Sequence, residues 1–151
     1  MKTYFDSGVL VKAYIDEPDA TAARTLIAQT GASIPLTSLH EIEVRNTLRV
    51  KVGRGDIGES DLEMALRVVD EDISAGRLRR PVCDLSAIFI RAEALSARHA
   101  ASTLARSLDL LHVAAALELG CAEFVSLDER QRKVAAREGL KVIPHRLVKS
   151  R

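Results

Sequence analysis

The sequence has no tryptophan, only two tyrosines and three phenylalanines, so an aromatic platform for stacking bases is not available. Its two cysteines, Cys83 and Cys121, lack metal-type spacing and fall far short of disulfide-scaffold density. A reducing cytoplasm is therefore the expected setting. No run of eighteen apolar residues is present, which excludes a helix that spans a bilayer. The opening Met1-Lys-Thr-Tyr-Phe-Asp6 reads as a strand and has no signal-peptide core. Repeats, low-complexity tracts and composition breaks are absent too, so the 151 residues are expected to form one domain spanning residues 1–151. The formal charge of +1 selects no partner, because it can conceal basic and acidic surfaces of equal size.

What is present is an alternation of short apolar runs and longer helical patterns. Residues 2–5 read as a strand ending at Asp6, followed by a helix through Val9, Leu10, Ala13 and Tyr14. Pro18 interrupts it, and an Ala-rich helix runs to about Thr30, where Gly31 is a natural stop. Residues 33–37 suggest a second strand, with Pro35 favouring an edge or a strand start. A helix from Ser38 to about Val52 ends in the turn-rich Gly53-Arg-Gly-Asp-Ile-Gly58, and another runs from about Ser60 to Ala75. Leu78 to Val82 is a weaker strand pattern, and Asp84 is placed to cap a helix reaching about His99. A very apolar helix then runs from about Ser107 to Gly120. The strand Phe124–Leu127, a helix from Asp128 to Gly139 and the strand Lys141–Ile143 complete the chain. Strands separated by helices pair in parallel through right-handed crossovers. The expected fold is α/β, a three-layer α/β/α sandwich around a short-stranded parallel sheet.

Four acids stand where strand-like runs give way to helices or inside a helix near its start: Asp6, Glu43, Asp109 and Asp128. Strand C-termini and helix starts converge on one edge of a parallel sheet, the usual place for a site. Carboxylates gathered there repel by roughly 3 kcal/mol per pair at about 5 Å and an effective dielectric near 20. A divalent cation among them relieves that repulsion, which points to a Mg²⁺ or Mn²⁺ site suited to cutting a phosphodiester.

Each acid has a plainer alternative. Asp6 has the residue type of a helix N-cap. Ser38 and Glu41 show the S-x-x-E spacing of a capping box, which gives Glu41 a structural role and leaves Glu43 as the candidate. Asp109 introduces a helix apolar on nearly all sides, where a carboxylate also complements the helix dipole. Ser126 and Glu129 repeat the capping-box spacing around Asp128. His112 lies one turn from Asp109 on the same face, where a packed histidine with a satisfied nitrogen is the commoner finding. Arg45, Arg49, Lys51 and Arg54 cluster at one helix end, and Arg77, Arg79 and Arg80 form a second basic group. Such groups are usually solvated faces, and they are also the residue types that contact phosphates.

In order, these segments resemble the PIN-domain family, particularly its VapC-like toxin ribonucleases. Tyr4-Phe-Asp-Ser-Gly-Val-Leu-Val-Lys12 is similar to the first motif, and Ser38-Leu-His-Glu-Ile-Glu-Val-Arg-Asn-Thr-Leu48 to the second. In the second motif the acid precedes a small residue and Leu by four and five positions, which again selects Glu43. Leu108-Asp-Leu-Leu-His-Val-Ala-Ala-Ala116 is similar to the third motif and Phe124-Val-Ser-Leu-Asp128 to the fourth. Two positions depart from the pattern. Gly8 stands where the family usually has Ser or Thr, with Ser7 as the neighbouring hydroxyl, and Ser126 replaces the frequent Thr of the fourth motif.

The resemblance implies a metal-dependent endoribonuclease. In it Asp6, Asp109 and Asp128 hold Mg²⁺ or Mn²⁺, Glu43 completes the cluster and orients the attacking water, and Ser7 and Ser126 support the site. It also implies products with 5′-phosphate and 3′-hydroxyl ends, and a structured RNA substrate such as tRNA or ribosomal RNA. A cognate antitoxin and a homodimer are the implied partners, with no membrane association. Two other readings share the architecture. One is a catalytically silent PIN-like binding module, which Gly8 keeps open. The other is an aspartate-nucleophile phosphatase or receiver domain, which needs a further acid near the first strand that Asp6-Ser7-Gly8 does not supply.

Overall fold

The computed structural model describes residues 2–147. In chain order the elements are β1 (Thr3–Phe5), α1 (Ser7–Tyr14), α2 (Ala20–Thr30), β2 (Ile34–Pro35), α3 (Ser38–Gly53) and α4 (Glu59–Ser74). They continue with β3 (Leu78–Arg79), α5 (Leu85–Thr103), α6 (Ser107–Glu118), β4 (Glu123–Val125), α7 (Glu129–Arg137) and β5 (Lys141–Ile143). Every strand pair among the described residues is parallel, as the alternation of strands and helices requires. The expected α/β class with short parallel strands is what forms. The chain divides into two compact units, one holding residues 1–6 and 82–151, the other Ser7–Pro81.

In the first unit the strand order is β1-β4-β5. Tyr4 and Phe5 of β1 and Phe124 of β4 are fully buried, and Tyr4 stacks on Phe124 with ring centroids 5.6 Å apart. Tyr4 pairs with Phe124 and Phe5 with Val125. The next backbone bonds continue the ladders: Asp6 N–H donates to Val125 O at 2.9 Å, and Ser126 N–H to Ile143 O at 3.1 Å. Asp6 and Ser126 thus leave the C-terminal ends of two adjacent strands side by side. Between β4 and β5 the chain crosses through α7, the connection that parallel neighbours need.

Helix α6 is apolar on nearly every side, and Leu110 to Ala116 are buried, as its sequence predicts. Val113, Ala114, Ala115 and Ala116 are fully covered. The alanines let neighbouring elements approach closely, so a larger side chain there overpacks the core at about 1–3 kcal/mol. Helix α5 packs on α6. The expected cap is found: Asp84 accepts from Ala87 N–H at 3.2 Å. The helix runs past His99 to Thr103 and closes on Leu104 in the left-handed conformation at φ 58°. No glycine marks that stop, so the sequence predicted too short a helix.

In the second unit β2 and β3 form a two-stranded ladder, Ile34 with Leu78 and Pro35 with Arg79. Both are shorter than the sequence suggested; β2 stops early because Thr37 leaves the strand to cap α3. Here the sequence reading needs correcting. The capping pair is Thr37 with His40, in place of Ser38 with Glu41: Thr37 N–H donates to His40 Nδ1 at 3.0 Å, and His40 N–H points back to Thr37 Oγ1. Ser38 lies one residue inside the helix. Glu41 turns to Arg80 at 2.8 Å, with Arg45 at 3.7 Å. The hydrogen bond from Arg80 holds the Glu41 carboxyl below its ordinary range despite partial burial. Glu41 keeps a structural role, an ion-pairing one. Gly31 closes α2 at φ 56°, as expected.

Candidate functional site

Asp6 and Asp109 are each only 5 % exposed, and a buried carboxylate requires hydrogen-bonding partners. The Ser126 hydroxyl, itself fully buried, donates to Asp6 Oδ2 at 2.6 Å. The same Ser126 oxygen accepts from Asp128 N–H at 3.0 Å. Asp128 Oδ1 then caps α7, accepting from Arg130 N–H at 2.8 Å and Gln131 N–H at 3.2 Å. From the first turn of α7, Gln131 Nε2 reaches Asp109 Oδ1 at 3.4 Å. Asp109 Oδ2 accepts from the backbone N–H of Arg106 at 2.8 Å and sits 3.4 Å from its guanidinium Nε. Asp6, Asp128 and Asp109 therefore lie on one hydrogen-bonded path through Ser126 and Gln131.

That path corrects the sequence reading of α7. Ser126 and Glu129 do not form a capping box. Asp128 is the cap, and the Ser126 hydroxyl is turned to the carboxylate at the end of the neighbouring strand. Asp128 carries both the plain role and the candidate one: Oδ1 serves the helix, and no described protein donor reaches Oδ2. Glu43 and Ser7 stand in the other unit. Glu43 is half-buried on α3, Ser7 is buried as the first residue of α1, and Gly8 beside it is exposed.

His112 is a packed residue, the plainer of its two readings. It is fully buried, shares a 2.8 Å hydrogen bond between Nδ1 and the Tyr4 hydroxyl, and meets that ring edge-on. The basic groups are largely engaged. Arg45 pairs with Asp70, Lys51 with Glu17, Arg77 with Asp72 and Arg80 with Glu41. Arg49, Arg54 and Arg79 are exposed and make no ion pair among the described residues. Burial pushes the Cys121 thiol up to about 11, which keeps it protonated and inert at neutral pH.

A feature missed in the sequence is an open groove of about 880 Å³ along α7 and β5. Arg132, Lys133, Lys141, His145 and Arg146 line it, with Glu129 as its acid. Arg132 is fixed by bonds to the carbonyls of Ser126 at 2.8 Å and Pro144 at 2.5 Å, and Lys141 by Glu123 at 2.9 Å. Lys133 and Arg146 have no ion pair among the described residues. The sequence pattern does not single out Gln131 either, although Asp128-x-x-Gln131 carries the same capping spacing as Ser126-x-x-Glu129.

The donor set is all oxygen, which suits a hard cation. Among the described residues, no group of three or more His, Cys, Asp or Glu side chains is arranged to hold a metal ion. Mg²⁺ does not demand one. It is typically held by one or two carboxylates, with waters and substrate phosphates completing the octahedron. The aspartates fit that pattern and do not fit a closed structural zinc site.

The PIN domain family model matches residues 3–137, a span that runs through both compact units. The chain belongs to the PIN domain family. PIN domains are generally nucleases, phosphodiester hydrolases that use divalent metal ions. Among solved structures, VapBC2 from Rickettsia felis, bound to a DNA fragment from its promoter, is similar in fold. It is 18 % identical with a TM-score of 0.59, covering 94 % of this chain and 97 % of that one. FitAcB from Neisseria gonorrhoeae is 14 % identical with a TM-score of 0.57, covering 93 % and 95 %. No curated protein sequence matches the chain significantly. Among the described residues, no helix is long and apolar enough to cross a membrane.

Proposed function

We propose that this chain is a Mg²⁺- or Mn²⁺-dependent endoribonuclease of the VapC-like type, a toxin that cleaves structured RNA and is neutralised by a cognate antitoxin. The observation that carries the proposal is the path linking Asp6, Ser126, Asp128, Gln131 and Asp109 at the strand ends and helix starts of the first unit. In this reading Asp6, Asp109 and Asp128 hold the ion, directly or through its waters, which needs no close group of three carboxylates. When bound, it lowers the pKa of a coordinated water and offsets charge on the scissile phosphate. The hydrogen bond from Ser126 fixes the rotamer of the Asp6 carboxylate. The helix cap occupies Asp128 Oδ1 and leaves Oδ2 to face a ligand. Glu43, which completes the set and orients the attacking water, and Ser7 enter through their sequence motifs. Water attack leaves 5′-phosphate and 3′-hydroxyl ends.

The groove along α7 supports a polyanionic substrate, since Lys133 and Arg146 are free to meet phosphates. The antitoxin is supported by the motif resemblance and by the fold shared with VapBC2 and FitAcB. Homodimer formation draws support from the exposed Phe89 and Ile90 on α5, which are 56 % and 73 % accessible. The protein acts in the cytoplasm, and residues 1–151 work as one nuclease domain, a reading supported by the single family match through both units.

The test incubates purified, antitoxin-free protein and its Asp109→Asn variant with total bacterial RNA in Mg²⁺, Mn²⁺ or EDTA. Discrete fragments bearing 5′-phosphates, abolished by EDTA and by the substitution, are expected. Products ending in 2′,3′-cyclic phosphate, or cleavage indifferent to EDTA, would overturn the mechanism. Absence of both cleavage and Mn²⁺ binding would leave a binding module in its place.

A further inference from the structure

Gln131 is 5 % exposed, and its two amide atoms have unequal surroundings. Nε2 faces Asp109 Oδ1 at 3.4 Å. An ionised carboxylate only accepts hydrogen bonds, so this neighbour fixes which end of the amide points to Asp109. Oε1 is completely buried, and no protein donor reaches it. An amide carbonyl left in that state is destabilising, and packing alone would be served by an apolar side chain of the same length. Local capping does not account for the residue either. The spacing from Asp128 would send the Gln131 side chain back to Asp128 N–H, but Ser126 Oγ already accepts from that group at 3.0 Å. Gln131 is thus a buried acceptor without a protein donor, hydrogen-bonded to one of the candidate metal-binding carboxylates.

We infer that Gln131 is a positioning residue for the cation site: its amide N–H holds Asp109, and its carbonyl accepts from a water in the hydration shell of the bound ion. This inference rests on the nuclease reading above. Mg²⁺ and Mn²⁺ held by few carboxylates keep several waters, each a donor in need of an acceptor. Groups that orient a ligand from outside it also govern metal affinity.

The experiment measures Mn²⁺ affinity by calorimetry on the full chain, together with metal-free thermal unfolding, for wild type, Gln131→Met, Gln131→Glu and Asp109→Asn. Gln131→Met removes both polar atoms at nearly constant volume. It is expected to weaken Mn²⁺ binding roughly 10–100-fold, whatever the metal-free Tm does once both the orphaned carbonyl and the bond to Asp109 are gone. Gln131→Glu keeps the acceptor and loses the donor, so it is expected to bind Mn²⁺ more tightly than Gln131→Met, from a lowered metal-free Tm. A purely structural role predicts Mn²⁺ affinity unchanged in Gln131→Met at any Tm, and that result would overturn the inference. Mn²⁺ binding lost in Asp109→Asn but intact in Gln131→Met sinks the inference alone. Wild type that fails to bind Mn²⁺ sinks the nuclease reading beneath it.

Discussion

Ser126→Ala is the most informative single perturbation, because one buried oxygen joins two of the candidate acids. The hydroxyl donates to Asp6 Oδ2 at 2.6 Å and accepts from Asp128 N–H at 3.0 Å, and nothing of Ser126 is exposed to solvent. A hydrogen bond to a charged acceptor contributes about 1.5–3 kcal/mol, and an N–H left without its acceptor adds roughly 1 kcal/mol. Together the expected destabilisation is about 3 kcal/mol. For a domain of this size, that lowers Tm by roughly 6–12 °C. Thermal unfolding followed by circular dichroism, with urea unfolding for the free energy, measures it. A cycle with Asp6→Ala separates the pair from general packing, with an expected coupling of about 1.5–3 kcal/mol. A Ser126→Ala protein within about 0.5 kcal/mol of wild type, or a cycle that is purely additive, would refute the view that this hydroxyl holds the Asp6 carboxylate.

Two further outcomes are expected. Tyr14 donates to Asp72 Oδ2 at 2.6 Å, and Arg77 holds the other oxygen, so Tyr14→Phe should cost about 1.5–3 kcal/mol in urea unfolding. Burial and then the Asp72 carboxylate push the Tyr14 phenol above its ordinary value of 10.0. A raised pKa stabilises the fold below that ordinary value, and the contribution is lost as pH climbs beyond it, where only the unfolded chain gives up its proton. Wild-type stability should therefore fall steeply on the alkaline side and the variant's much less; parallel pH profiles would contradict the assignment. In the groove, Lys133→Ala with Arg146→Ala on the Asp109→Asn background should weaken RNA binding. The slope of log affinity against log salt should also fall by about 0.7–0.9 for each phosphate that is no longer neutralised. An unchanged slope would remove the groove from the RNA-binding surface.

The parts of the structure that the sequence made legible are those that a local pattern determines. Alternating apolar runs and turn residues located β1, β4 and β5 within a residue or two. The absence of polar residues through Leu110–Ala116, His112 apart, marked α6 as buried, and Asp84 capped the helix it precedes. Local pattern failed where two local solutions compete. S-x-x-E occurs at Ser38 and at Ser126, yet the caps are Thr37 and Asp128, because the point where the strand releases the chain decides which residue becomes the N-cap. It also stopped at Leu104, whose left-handed conformation has no glycine to announce it.

The candidate site was half legible for a different reason. Its acids could be chosen one by one, but the groups that connect them act across long separations: 120 residues between Ser126 and Asp6, and 22 between Gln131 and Asp109. No spacing rule reaches that far. Strand register does. Once β1 lies beside β4 with Phe5 opposite Val125, the next residues on both strands are Asp6 and Ser126, and a carboxylate meets a hydroxyl without further assumption. Asp128 follows Ser126 by two residues and must begin the crossover helix, which sets Gln131 in its first turn. The missing information was therefore the order β1-β4-β5 and its register, a property of pairing rather than of chemistry. Given that order, the Asp6, Ser126 and Asp128 chain is derivable from the sequence. Gln131 still requires knowing that α6 presents Asp109 to α7, a packing fact that the apolar pattern of α6 leaves undetermined.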